Sequence, residues 1–82
     1  MGVIVFRDRR PEKIEVSVAL GNSRANFGLG PGQEEPVKCR DGEVVTWGWF
    51  PFFGPGKGNA EPDCPAEDGD IIDVVSDCRI EG

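Results

Sequence analysis

An all-β domain of five or six short antiparallel strands, arranged as a small barrel or two-layer sandwich, is the fold class this sequence predicts. Three observations predict it. Apolar and polar residues alternate with period two in several runs, as half-buried strands require. Glycine and proline together make up 19 of the 82 residues, which suits tight turns between short strands. No stretch of useful length keeps a 3.6-residue period free of Gly or Pro, so no helix is expected.

The elements follow in chain order. Val3 to Phe6 supplies an apolar first strand. From Ile14 the run Ile-Glu-Val-Ser-Val-Ala-Leu sets Ile14, Val16, Val18 and Leu20 on one face and Glu15, Ser17 and Ala19 on the other. Gly21-Asn22-Ser23 reads as a turn. Alternation resumes with Ala25, Phe27 and Leu29 against Arg24, Asn26 and Gly28, and the two runs predict an antiparallel hairpin. Gly30-Pro31-Gly32 breaks the chain, and Pro36 marks entry to a strand through Val37 and Cys39.

Asp41-Gly42 is the strongest turn signal, because both residues tolerate the positive φ of a type I′ hairpin turn. A two-residue loop there pairs Arg40 with Glu43, Cys39 with Val44, Lys38 with Val45 and Pro36 with Trp47. Val37, Cys39, Val44 and Thr46 then share one face, and Val45, Trp47 and Trp49 share the other. Residues 51–69 have no period and hold four prolines and four glycines, so a long Gly/Pro-rich loop is expected there. Order returns at Gly69-Asp70, with Ile72, Val74, Cys78 and Ile80 alternating against Asp73, Asp77, Arg79 and Glu81 in a closing strand. The whole chain, 1–82, reads as a single β domain.

Charge is unevenly spread around a net of −6. Residues 1–24 carry five basic and three acidic side chains, and residues 25–82 carry four basic and twelve acidic ones. Direct nucleic-acid binding needs a basic footprint that this distribution lacks. An acidic end instead steers a protein towards a basic partner. No apolar run approaches the roughly 20 residues of a membrane span, and the apolar start lacks a basic segment before it. The expectation is a cytoplasmic protein without membrane contact.

The chain has no histidine and no tyrosine. The usual Ser–His and Cys–His nucleophile systems cannot be assembled within one such chain, and a non-enzyme is expected. Cys39, Cys64 and Cys78 are widely spaced, with no C-x-x-C pair. Three reduced thiols are the expected state, with a bridge from Cys64 to either of the others open under oxidising conditions. Glu61-Pro-Asp63-Cys-Pro-Ala-Glu67-Asp68-Gly-Asp70 fails the EF-hand pattern, because Cys64 and Ala66 stand where oxygen ligands belong. No metal or cofactor is expected. Glu67 to Val74 resembles the closing strand of SUMO-type ubiquitin-like modifiers. The likeness covers eight residues, and Pro31, Gly32 and Pro36 stand where that family carries a helix, so no relationship is claimed.

Five of the seven aromatic residues lie in Trp47-Gly-Trp49-Phe50-Pro51-Phe52-Phe53. They can serve the core, or anchor an interface beside the loop. The candidate binding residues are therefore Trp47, Trp49, Phe50, Phe52 and Phe53, together with Glu61, Asp63, Glu67, Asp68 and Asp70 of the acidic stretch. The expected function is a small acidic, non-catalytic module that binds a larger protein with a basic surface. One form is an inhibitor of a nucleic-acid-handling enzyme, as phage anti-defence proteins of this size and charge are. The alternative is a carbohydrate or small-ligand domain using Trp47 and Trp49 as a stacking platform.

Overall fold

A computed structural model describes residues 2–51, 64–75 and 78–79. They form seven strands: β1 (Gly2–Asp8), β2 (Ile14–Leu20), β3 (Ser23–Leu29), β4 (Glu34–Cys39), β5 (Val44–Pro51), β6 (Cys64–Glu67) and β7 (Ile71–Val74). A three-stranded sheet has the order β4-β1-β7 and a four-stranded sheet the order β3-β2-β5-β6. The domain is all-β and sandwich-like rather than a closed barrel, with no helix among the described residues.

The β2–β3 hairpin forms as the alternation predicts, in register from Leu20↔Ser23 to Ile14↔Leu29. Gly21 takes a φ of +61°, and Asn22 is not in the positive region. Glycine at the first central position is the requirement of a type II′ turn, whose twist matches the strands it joins. Ile14, Val16 and Val18 are fully buried and Leu29 nearly so, while Arg24, Asn26 and Gly28 face solvent.

The second expected hairpin does not form. β4 pairs antiparallel with β1, from Gly2↔Cys39 to Arg7↔Glu34, and β5 pairs with β2 and β6. The turn itself is real, since the Glu43 N–H donates to the Arg40 carbonyl at 3.1 Å. Gly42 has a φ of +72°, however, and Asp41 is not in the positive region. Positive φ at the second central residue alone belongs to a type II turn, which splays the flanking strands instead of pairing them. The chain thus crosses from one sheet to the other at Asp41-Gly42. Val37 is consequently buried in one core cluster with Val45, Trp47 and Trp49 rather than lying on the opposite face from them.

Three further differences follow from the topology. The described residues hold seven strands rather than five or six, because β6 falls inside the stretch 51–69 expected to be loop. Residues 52–63 of that stretch lie outside the described residues, as do Asp77, Ile80 and Glu81 of the expected closing strand. The pairing is not wholly antiparallel, since β7 runs parallel to β1 with Val5↔Ile71 and Arg7↔Asp73 opposite each other. Cys64 and Cys78 form a disulfide, and Cys39 alone stays a free thiol, in place of the three reduced thiols expected. Closing a ring over a sequence separation of 14 stabilises the fold by about 3 kcal/mol through loss of chain entropy in the unfolded state.

The core lies between the sheets. Ile4, Phe6, Val37 and Val74 face Ile14, Val16, Val18, Leu29, Val45, Trp47 and Trp49. The rings of Phe6 and Trp47 meet edge to face with centroids 5.4 Å apart, and Phe6 and Phe27 are tilted at 5.9 Å. Such pairs add about 1 kcal/mol each beyond the apolar area they bury.

Candidate functional site: the outer face of the three-stranded sheet

The strand registers build this face residue by residue. Val3, Val5 and Arg7 alternate with the buried Ile4 and Phe6, so they point away from the core. Each is extended sideways by its pairing partners. Lys38 lies beside Val3. Pro36 and Ile71 flank Val5, giving a Pro36–Val5–Ile71 row across all three strands. Glu34 and Asp73 flank Arg7. Val3 is 41% exposed and Ile71 61% exposed, with Val5 half-buried. The face is thus a short apolar row with a charged border.

The charged borders differ in kind. At the far row, Arg7 Nε donates to Asp73 Oδ1 at 2.8 Å and Arg9 Nε to the same oxygen at 3.3 Å. The Arg7 guanidinium foremost, with Arg9 assisting, holds the Asp73 carboxyl below the ordinary carboxylate value. At the near end, Asp68 accepts backbone N–H groups from Gly42 and Val3, both at 3.0 Å, and these two bonds hold its carboxyl low. Asp70 Oδ2 accepts the Glu67 N–H at 2.9 Å and so shapes the β6–β7 turn. Asp68 N–H donates to the Glu43 carbonyl at 2.9 Å, which brings Asp41, Glu43, Glu67, Asp68 and Asp70 to one end of the molecule. Of the acidic residues singled out in the sequence, Glu67 is thus exposed, and Asp68 and Asp70 are half-buried in backbone contacts. Glu61 and Asp63 lie outside the described residues.

The aromatic stretch is placed differently from the face. Trp47 and Trp49 are 5% and 1% exposed, and Phe50 is buried as well. A sugar cannot stack on a ring enclosed in this way. Their burial follows from the position of β5, which is interior to its sheet between β2 and β6. Trp49 is further covered by the guanidinium of Arg10, 4.7 Å from the ring centroid, and by that of Arg79 at 5.9 Å. Arg10 is held there by three bonds. Its N–H donates to Asp8 Oδ1, its Nη1 to the Val75 carbonyl, and its Nε to Glu12. Asp8 is itself fully buried, and its Oδ2 has no partner among the described residues. Phe52 and Phe53 lie outside the described residues.

One open cleft, about 370 Å³, is lined by Leu20, Gly21, Ser23, Lys38, Cys39, Arg40 and Glu43. Burial pushes the Cys39 thiol up, and the carboxylates of Asp68, Glu43 and Asp41 push it further, so it is poorly ionised at neutral pH. Among the described residues no group of three potential metal ligands is brought together, and no helix is long and apolar enough to cross a membrane.

Sequence reasoning did not find Val3, Val5, Pro36 and Ile71. The run Val3 to Phe6 is apolar at every position, so it carries no sign of which two side chains face out. No protein-family model, no curated protein and no solved structure matches this chain.

Proposed function

We propose that this domain is a non-catalytic protein-binding module that docks through the outer face of β4-β1-β7 onto a larger partner with a basic surface. The observation that supports it best is the Pro36–Val5–Ile71 row, with Pro36 and Ile71 exposed and Val5 half-buried, beside the exposed Val3, which leaves apolar surface in water unless a partner covers it. The acidic end formed by Glu43, Glu67, Asp68 and Asp70 borders that row and would steer a basic partner towards it. A specific form of the proposal is an inhibitor that occupies the basic site of a nucleic-acid-handling enzyme, with the carboxylates standing where phosphates would bind.

Affinity capture from lysate with the full chain tests this reading. A partner should be retained by the native protein, released as salt rises, and lost with Ile71→Glu. Val44→Glu, at an exposed valine outside that face, should keep it. Equal retention by Ile71→Glu would remove the face from the proposal, and salt-independent capture would remove the role of the acidic end.

A further inference from the structure

Among the described residues the two sheets have four edge strands, and three of them are guarded. β4 carries Pro36 amid Glu34, Glu35 and Lys38; β6 is four residues long and contains Pro65; β7 is also four residues long. Short length, proline and charge are the usual devices that stop a sheet edge from pairing with another chain. β3 is seven residues long, contains no proline, and pairs with β2 without a bulge along its whole length.

The groups that β3 offers can be read from its hairpin. A two-residue turn makes Leu20 and Ser23 a hydrogen-bonded pair, and the alternation of antiparallel pairing then assigns Ala25, Phe27 and Leu29 to bonds with β2. The backbone groups of Arg24, Asn26 and Gly28 therefore point away from β2, to the side of β3 where no other described strand lies. Gly28 is exposed, and since glycine has no side chain, that exposure is of backbone.

We propose that β3 pairs antiparallel with β3 of a second copy of this chain, about a two-fold axis at Asn26, joining two four-stranded sheets into one of eight. Among the symmetric registers that oppose the outward backbone groups, this one uses all seven residues. It sets Arg24 against the partner's Gly28, so no like charges meet. On the inner face it sets Ala25 against the partner's Phe27, small against large, and both are only half-buried in the lone chain. The Glu67 carboxylate of the acidic end does not oppose the contact. Glu67 lies on β6, the other edge of the same sheet. Across eight strands the two β6 edges stand roughly 34 Å apart at about 4.8 Å per strand, several screening lengths at physiological salt.

Sedimentation of the full chain over a concentration series tests the proposal. The native protein should show a monomer–dimer equilibrium, and the Asn26 and Gly28 amides should exchange hydrogen more slowly as dimer accumulates. Asn26→Pro removes an outward N–H without touching a β2 bond, a position where edge strands tolerate proline. It should weaken dimerisation at least tenfold while the circular dichroism stays unchanged. Asn26→Lys sets two like charges opposite each other on the two-fold axis and should weaken dimerisation in low salt and less so in high salt, which keeps the test decisive if the proline variant misfolds. A native chain that stays monomeric at its solubility limit overturns the proposal. So does a dimer that neither variant alters.

Discussion

Each end of β1 is held by an aspartate with a lowered carboxyl pKa, but the two are held by different means. Asp68 at the Val3 end accepts two backbone N–H groups, one from β1 and one from the turn after β4. Asp73 at the Arg7 end accepts from two exposed guanidinium groups at the tips of long side chains. A backbone donor cannot swing away without unfolding its segment, whereas an arginine can. Both carboxyls are shifted in the same direction, yet the first shift reports a tie between chain segments and the second a surface ion pair, which is worth little on average.

The largest effect should come from disturbing the backbone tie. A Cβ on Gly2 would fall 2.5 Å from the Asp68 carboxyl carbon. Gly2→Ala should therefore expel the carboxylate and leave two amides to find new partners, at a cost of about 1–3 kcal/mol in urea unfolding. Asp68→Asn comes next, because an amide can accept only one of the two bonds. Its loss of melting temperature should exceed that of Asp73→Asn, and equal losses would refute the distinction between the two ends.

Salt sharpens the comparison. Raising ionic strength should shrink the effect of Asp73→Asn towards nothing and leave that of Asp68→Asn largely in place. Acid acts on both. The folded-state values lie below the ordinary 3.8, so the stabilisation is complete above that value and is lost as pH falls through the lowered ones. Asp68→Asn and Asp73→Asn should each flatten the acid limb of a stability–pH curve, a result that denaturation titrations from about pH 5 downward would check. The smallest effect is expected from Arg9→Ala, whose contact with Asp73 is the longer of the two. Thermal melting should not distinguish it from the native chain.

How much of this was legible beforehand depended on the range of the interaction. The β2–β3 hairpin could be read from alternation because strand, turn and partner lie within 16 residues of one another. The crossing at Asp41-Gly42 could not, since Asp-Gly fits both a turn that pairs strands and one that separates them. The sign of φ at Asp41 decides between the two, and the dipeptide does not fix it. Trp47 and Trp49 share a face with Val45 as the alternation indicates. Whether that face is buried depended on β1 and β4 lying over it, a matter of topology. The Asp68 tie and the Val5–Ile71 pairing join residues some 65 apart, and local pattern carries no trace of them.

The flank of β5 away from β2 is occupied by two pieces of chain laid end to end, β6 up to Trp47 and residues 78–79 beyond it. Cys64 pairs with Trp47, and farther along Trp49 bridges to Arg79 and donates its N–H to the Cys78 carbonyl. The bond between Cys64 and Cys78 splices these pieces into one continuous border. Tension applied downstream of Cys78 would stop at the sulfurs and pass into β6 as shear along β5. β7, enclosed in the covalent ring, would not be peeled from β1 one bond at a time.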